Sequence, residues 1–312
     1  MIHILASTDE RYSAYCGVML TSVFENNPSA EAYIMVDKPL SAKQRFHFSK
    51  LEKKYNTNIH FIVVDSSSLK DAPTLSWALP AYFRLLAPSL LPASIDKILY
   101  LDCDIIVNGD LTPLWETPLT GKSVASVIES GSYNPACNYF GRLGYEEKYG
   151  YFNSGVLLMN LEYWRTNGIQ QMALKYIEDH KDIIRFPDQD VLNYILKGTN
   201  VYLPATYNFQ SYFVEKKTYA FLEEKTKAEM EEAKPVIAHI MRKPWNIRTY
   251  PYPFYKLWHG YKRLSPWKHK PDKLFSPPSV RALVRRYIIW PYIGLPDNDI
   301  FYPEFYKHPE WR

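Results

Sequence analysis

Glycine is scarce in this chain, with 12 among 312 residues, and none lies in the turn after the first apolar strand, His3 to Ala6. A G-x-G-x-x-G loop cradling phosphates is therefore absent there, which argues against dinucleotide-dependent dehydrogenases and against nucleotidyltransferases built on such a loop. Cysteine is equally sparse. Cys16, Cys103 and Cys137 are an odd number without C-x-x-C spacing, so neither a disulfide framework nor a zinc knuckle is expected, and a reducing cytosol is the simplest home. The opening apolar run is too short for a signal peptide, Asp9, Glu10 and Arg11 follow at once, and no stretch has the apolar length of a membrane span. A soluble, cytoplasmic body is expected. Charge of one sign is lacking too: the net is +4, and the basic residues gather in the tail rather than on a recognisable module, so nucleic acid is not an expected partner.

What is present begins with an apolar content of 46%, enough for a substantial core, in a length suited to one large α/β domain with an appendage. The 26 tyrosines and 8 tryptophans crowd towards the last third and suit sugar clefts, membrane interfaces or core filling. Strands are expected at His3–Ala6, Ala32–Val36 and Asn58–Val64, with helices at Ser13–Asn26 and Ser41–Tyr55 between them. That alternation predicts a mixed, mostly parallel sheet covered on both faces, in which ligands sit beyond the carboxyl ends of the strands. A helix segment Tyr82–Leu86 carrying Arg84, strands Ser123–Ile128 (ended by Glu129), Gly155–Met159 and Val236–Ile240, and a helix Asp188–Leu196 complete the body. It is expected to close near Trp258, giving a catalytic domain at 1–258 and a basic, aromatic tail at 259–312.

The most informative stretch is Lys97 to Val107, where an apolar strand runs into Asp102-Cys103-Asp104 and a second apolar run follows. Strand alternation would point Asp102 and Asp104 the same way. Two such carboxylates beside a buried strand repel one another unless a cation lies between them, and a divalent metal with a taste for oxygen, Mg²⁺ or Mn²⁺, is the natural partner. With no glycine loop available, phosphates would be held by that metal together with Arg84 and Lys243.

Several segments together are recognisable: Ala6-Ser7-Thr8-Asp9-Glu10-Arg11-Tyr12, Tyr82-Phe83-Arg84-Leu85, Tyr100-Leu101-Asp102-Cys103-Asp104 and Leu111-Thr112-Pro113-Leu114-Trp115. Further along come Tyr151-Phe152-Asn153-Ser154-Gly155 with the apolar run to Leu161, Asp188-Gln189-Asp190-Val191-Leu192-Asn193, and His239 followed by Lys243-Pro244-Trp245. In order and spacing, over roughly residues 2 to 258, the chain resembles family 8 glycosyltransferases, in particular their bacterial lipopolysaccharide galactosyltransferase and glucosyltransferase branch. The resemblance implies a GT-A fold and metal-dependent transfer of a hexose from a UDP-sugar, with retention, to a glycan or glycolipid acceptor such as a lipopolysaccharide or capsule intermediate. It implies that Asp102, Asp104 and His239 ligate Mn²⁺, and that Asp9 and Tyr12 take the uracil, with Ser7 and Cys103 bordering the nucleotide. Arg84 and Lys243 would meet the donor's diphosphate side. Glu129, Asn153, Ser154, Asp188 and Gln189 would line the sugar pocket, Gln189 and Asp188 being the catalytic pair. One departure is the link Ile240-Met241-Arg242, which lacks the glycine such enzymes often carry there.

Taken singly, these residues have plainer explanations. Asp9 could cap the first helix, Tyr12 could fill the core, Asn153 and Asp188 could cap turns, and Asp190 suits purely structural work. A lone histidine such as His239 is more often satisfied than metal-bound. Retention by same-face attack is favoured because a neutral amide such as Gln189 is a poor nucleophile; a glycosyl ester on Asp188 or Asp190 is the alternative. A self-glucosylating, glycogenin-like transferase and a non-catalytic nucleotide-sugar binding module are the competing functions. In the tail, Arg281, Arg285 and Arg286 beside Leu283, Val284, Tyr287 and Ile288 could lie in an anionic membrane interface. Peripheral membrane contact through residues about 262 to 292 and a tail folded over the body weigh equally.

Overall fold

Ile4 and Leu5, adjacent in sequence, are both fully buried, each in a different hydrophobic cluster on an opposite face of the first strand. The same holds for Leu99 and Tyr100, and such double burial is what a parallel sheet between two layers requires. The computed structural model describes residues 1–74, 78–232, 234–241, 243–245, 253–271 and Val284. These form strands β1 (His3–Thr8), β2 (Glu31–Val36), β3 (Ile59–Val63), β4 (Lys97–Leu101), β5 (Ile105–Val107), β6 (Val124–Ser126), β7 (Val156–Asn160), β8 (Asn200–Tyr202), β9 (Phe209–Gln210) and β10 (Ile237–His239). Seven of them make one sheet in the order β3-β2-β1-β4-β7-β6-β8; β5, β10 and β9 make a second, smaller one. In the large sheet only β7 runs antiparallel to its neighbours, β4 and β6. The mixed, mostly parallel α/β architecture expected from the alternation of elements is thus the one observed.

The helix expected at Ser13–Asn26 forms with those bounds as α1, and its residues from Ser13 to Phe24 are buried, so it lies inside the molecule rather than on its surface. α2 (Ala42–Tyr55) begins where the Ser41 hydroxyl accepts the Gln44 N–H, a side-chain cap of the ordinary kind. The expected helix around Tyr82–Leu86 is instead a 3₁₀ helix, Leu79–Leu86, with Pro80 in its first turn; the tighter winding places Arg84 inward. Val124–Ser126 is shorter than the strand expected there, and the chain continues to Glu129 through a single bridge between Ile128 and Phe152.

The helix Tyr255–Leu264 runs across residue 258 and docks on α1, where Tyr261 Oη takes a hydrogen bond from Asn26 at 2.8 Å. Trp267 follows, 4% exposed, its indole N–H donating to Gln44 Oε1 at 2.8 Å and its ring lying on Gly17 of α1. Lys262, counted from sequence among the membrane-facing cations, is buried, with its ammonium 5.4 Å from the Trp258 ring centre. Its long apolar stem favours that packing over solvent. The segment carrying Arg281, Arg285 and Arg286 lies outside the described residues. Among those described, no helix is long and apolar enough to cross a membrane.

A Cβ on Gly17 would come within 2.0 Å of the Trp267 ring. Overpacking costs about 1–3 kcal/mol and alanine's better helix propensity offsets about 1 kcal/mol of it. Gly17→Ala should therefore lower the urea midpoint by the equivalent of about 1 kcal/mol; a raised midpoint would mean that Trp267 does not seat on α1 in solution.

Candidate active site

β1 and β4 are parallel neighbours at the centre of the large sheet, so their carboxyl ends open on the same edge. Beyond them lie the turn that starts at Asp9 and the Asp102-Cys103-Asp104 segment. The latter is a turn, not a strand, because β4 stops at Leu101. Strand alternation is therefore not what brings the two carboxylates together. Main-chain hydrogen bonds do it: Asp102 N–H donates to the Gly155 carbonyl and Ile240 N–H donates to the Asp104 carbonyl, both at 2.9 Å. The second of these draws β10 and His239 to the same place. One ligand atom from each of Asp102, Asp104 and His239 lies within 4.8 Å of the others.

Each carboxylate has its own cation. Asp102 Oδ1 accepts from Arg84 Nη2 at 2.8 Å and from the Tyr100 hydroxyl at 2.9 Å. Asp104 Oδ2 is paired with the Lys243 ammonium, and its Oδ1 lies 3.6 Å from His239 Nε2. Burial opposes the Asp104 charge, yet Lys243 and His239 outweigh it and hold the carboxyl well below the usual carboxylate range. Arg84 is buried across the Tyr100 ring, with its guanidinium carbon 3.8 Å from the ring centre. It reaches Asp188 Oδ2 at 3.1 Å and also donates to the Ser154 carbonyl. Burial works against its charge too, and Asp102 and Asp188 more than restore it, leaving its pKa above the ordinary arginine value.

This pattern fits a divalent ion. Oxygen donors from two carboxylates and one imidazole nitrogen suit Mn²⁺ better than a purely oxygen-seeking ion. Gly155 leaves the room: a Cβ there would stand 2.4 Å from His239 Cε1 and 2.9 Å from Asp102 Oδ2.

The helix Pro187–Ile195 supplies the next group from its first turn. Asp188 is buried against Arg84; burial pushes its pKa up, and Arg84 only partly offsets this. Gln189 is pinned at both ends, its Oε1 accepting the Ser154 N–H at 3.0 Å and its Nε2 donating to Glu129 Oε2 at 3.2 Å. Asn153 Nδ2 donates to the same Glu129 oxygen at 2.7 Å. Asp190 is different. It is fully buried and accepts from Arg142 twice, from the Tyr151 hydroxyl, and from the Arg185 and Phe186 N–H groups. No oxygen is left over, as suits a residue that anchors the helix start.

On the other flank Asp9 Oδ1 accepts the Tyr12 N–H at 2.8 Å, closing the turn before α1, whose N-cap is Tyr12 rather than Asp9. Tyr12 is 37% exposed and meets Trp245 edge to face at 6.0 Å, so it is a surface aromatic, not a core one. Ser7 Oγ is buried without a hydrogen-bond partner among the described residues. The Cys103 thiol turns inward, donating to the Ser7 carbonyl at 3.3 Å. Its contact with Cys16, together with burial, raises its pKa well above the usual thiol value.

Sequence reasoning missed Asn208, whose Oδ1 lies 3.0 Å from His239 Nδ1, and Gln210, whose side chain bridges Ser130 N–H and the Ile128 carbonyl. Both are fully buried amides in a segment without charges or a repeated spacing, so no local signal marks them. Tyr100 and Gly155 stood within recognised segments, but their roles appear only in three dimensions.

The fold recurs in solved structures. A galactosyltransferase, LgtC, in complex with donor and acceptor sugar analogs, superposes with a TM-score of 0.69 at 28% identity, covering 78% of this chain and 89% of that one. Among curated proteins, general stress protein A of Bacillus subtilis (strain 168) is 28% identical over 81% of this chain and 90% of its own length. The lipopolysaccharide 1,2-glucosyltransferase of Escherichia coli (strain K12) is 29% identical over 86% of this chain and 79% of its own. The pattern described as glycosyl transferase family 8 matches residues 3–248, a span that takes in β1, the Asp102-Cys103-Asp104 turn, His239 and Lys243; the chain belongs to that family.

Proposed function

We propose that this glycosyltransferase moves a hexose, galactose or glucose, from a UDP-sugar to a glycan or glycolipid acceptor of the lipopolysaccharide or capsule type, with retention and with Mn²⁺. The observation that carries the reading is the convergence of Asp102, Asp104 and His239 within 4.8 Å at the carboxyl ends of the central strands, flanked by Arg84 and Lys243. Asp102, Asp104 and His239 would hold the ion, which supplies charge for the departing diphosphate when bound. Lys243 adds a fixed positive charge on the same side, and Arg84 holds Asp102 and Asp188 in place. Tyr12, partly exposed, and Asp9 would take the base.

Departure of UDP leaves a cationic sugar carbon, as in glycoside hydrolysis. Asp188 and the Gln189 carbonyl would turn oxygens towards that carbon. Asp190 has every oxygen engaged, and Gln189 is neutral and held at both ends, so neither suits a covalent intermediate. Same-face attack by the acceptor hydroxyl is the mechanism we favour, with an ester on Asp188, paired with Arg84, as the alternative. The relative named as a lipopolysaccharide 1,2-glucosyltransferase supports an acceptor of that type. A screen of UDP-sugars with Mn²⁺, Mg²⁺ or chelator, reading UDP release and the anomeric configuration of the product, tests this. Release of UDP from UDP-galactose or UDP-glucose that chelation abolishes is expected. Turnover indifferent to chelation, or an inverted product, would overturn the reading.

A further inference from the structure

Two backbone N–H groups, which can only donate, fix the direction of an entire side-chain chain beneath the site. Gly155 N–H points at one end of the Asn153 amide at 2.9 Å, so that end is the oxygen. The same Oδ1 takes a hydrogen bond from Asn208 at 2.8 Å, which must come from the Asn208 NH₂ group. The Asn208 oxygen therefore faces His239 Nδ1, 3.0 Å away, and an oxygen can be satisfied there only by an N–H. At the far end, Ser154 N–H orients Gln189 in the same manner, so that the Asn153 and Gln189 amides both donate to Glu129 Oε2.

We propose that Asn208 is the positioning residue of the metal site, holding His239 in the Nδ1–H tautomer so that the Nε2 lone pair is turned to Asp104 and Asp102. Ring nitrogens that ligate metals are commonly set by the hydrogen bond made at the other nitrogen. Here the partner is an amide whose own direction is dictated from Gly155. The row His239–Asn208–Asn153–Glu129–Gln189 joins the metal ligand to the residues lining the sugar pocket through side chains alone. Asn208 and Asn153 are 3% exposed or less, so water does not compete for these bonds. The inference rests on the metal reading above, but its first test needs no metal.

With histidine ¹⁵N labelling, two-bond nitrogen–proton spectra in alkaline buffer distinguish the two tautomers, and His239→Gln identifies the signal among the 8 histidines. The wild-type protein is expected to show His239 protonated at Nδ1. Asn208→Ala should lose that preference, and its affinity for Mn²⁺, read from the free-ion electron paramagnetic resonance signal, should fall about 10- to 100-fold. Asn208→Leu fills nearly the same space without an acceptor for Nδ1–H and should lose both the tautomer preference and the affinity as Asn208→Ala does, which a merely space-filling role would not predict. His239 protonated at Nε2 in the wild type, or Asn208→Ala with tautomer and affinity unchanged, would overturn the proposal. Failure of the wild-type protein to bind Mn²⁺ would remove the metal reading by itself, while the ring-nitrogen spectrum would still decide the role of Asn208.

Discussion

Asp104→Asn should reduce UDP release by about 1,000-fold, the equivalent of ~4 kcal/mol of transition-state stabilisation, with the secondary structure intact. The side chain keeps its shape, but it loses the charge that pairs with Lys243 and stands beside His239. Both the ion and the lysine then lose their shared anchor at the place where negative charge leaves with the nucleotide. The same variant carries a signature in the metal-free protein. The folded-state pKa of Asp104 lies below its ordinary value of 3.8, so the carboxylate stabilises the fold above that pH and the contribution disappears as acid protonates it. Wild type should thus be more stable than Asp104→Asn at neutral pH, with the gap in urea midpoint closing below about pH 4. Full turnover by the variant, or a gap that widens in acid, would remove the role given to Asp104.

The largest loss of stability is expected from Arg84→Met. Its guanidinium is buried between Asp102 and Asp188, lies over the Tyr100 ring and donates to the Ser154 carbonyl, so four neighbours depend on it. Methionine fills much of the volume but leaves two carboxylates facing one another without a cation. Breaking a buried pair in this way costs roughly 3–5 kcal/mol. At ~2–4 °C per kcal/mol for a chain of this size, the melting temperature should fall by about 10 °C. Arg84→Lys should recover only part of this, since a single ammonium cannot serve both carboxylates and the carbonyl at once. Adding Asp188→Asn to Arg84→Met should also recover part, by relieving the repulsion. A melting temperature within the error of the wild type, or a double variant less stable than Arg84→Met, would contradict the clamp.

The sequence could be read where neighbours in the chain are also neighbours in the structure. α1 was bounded correctly because apolar spacing and the Asn27-Pro28 stop are local properties. The Asp102-Cys103-Asp104 segment was placed at a strand end for the same reason. Strand alternation does not shape it, since β4 ends at Leu101 and two hydrogen bonds, from Asp102 N–H to the Gly155 carbonyl and from Ile240 N–H to the Asp104 carbonyl, form the turn. Lys262 was misplaced because a lysine in a basic run looks solvated until the Trp258 ring that covers it is known.

Composition and local order by themselves determined the layered α/β core, the absence of a glycine phosphate loop, and the ordered segments that mark the family. Tertiary structure alone decided which charges meet. Arg84 finds Asp188, His239 finds Asn208, and Asn208 finds Asn153 across 55 positions of chain. Hydrogen bonds and ion pairs of that kind depend on ångström-scale approach between elements brought together by the sheet, and no periodicity along the chain encodes it.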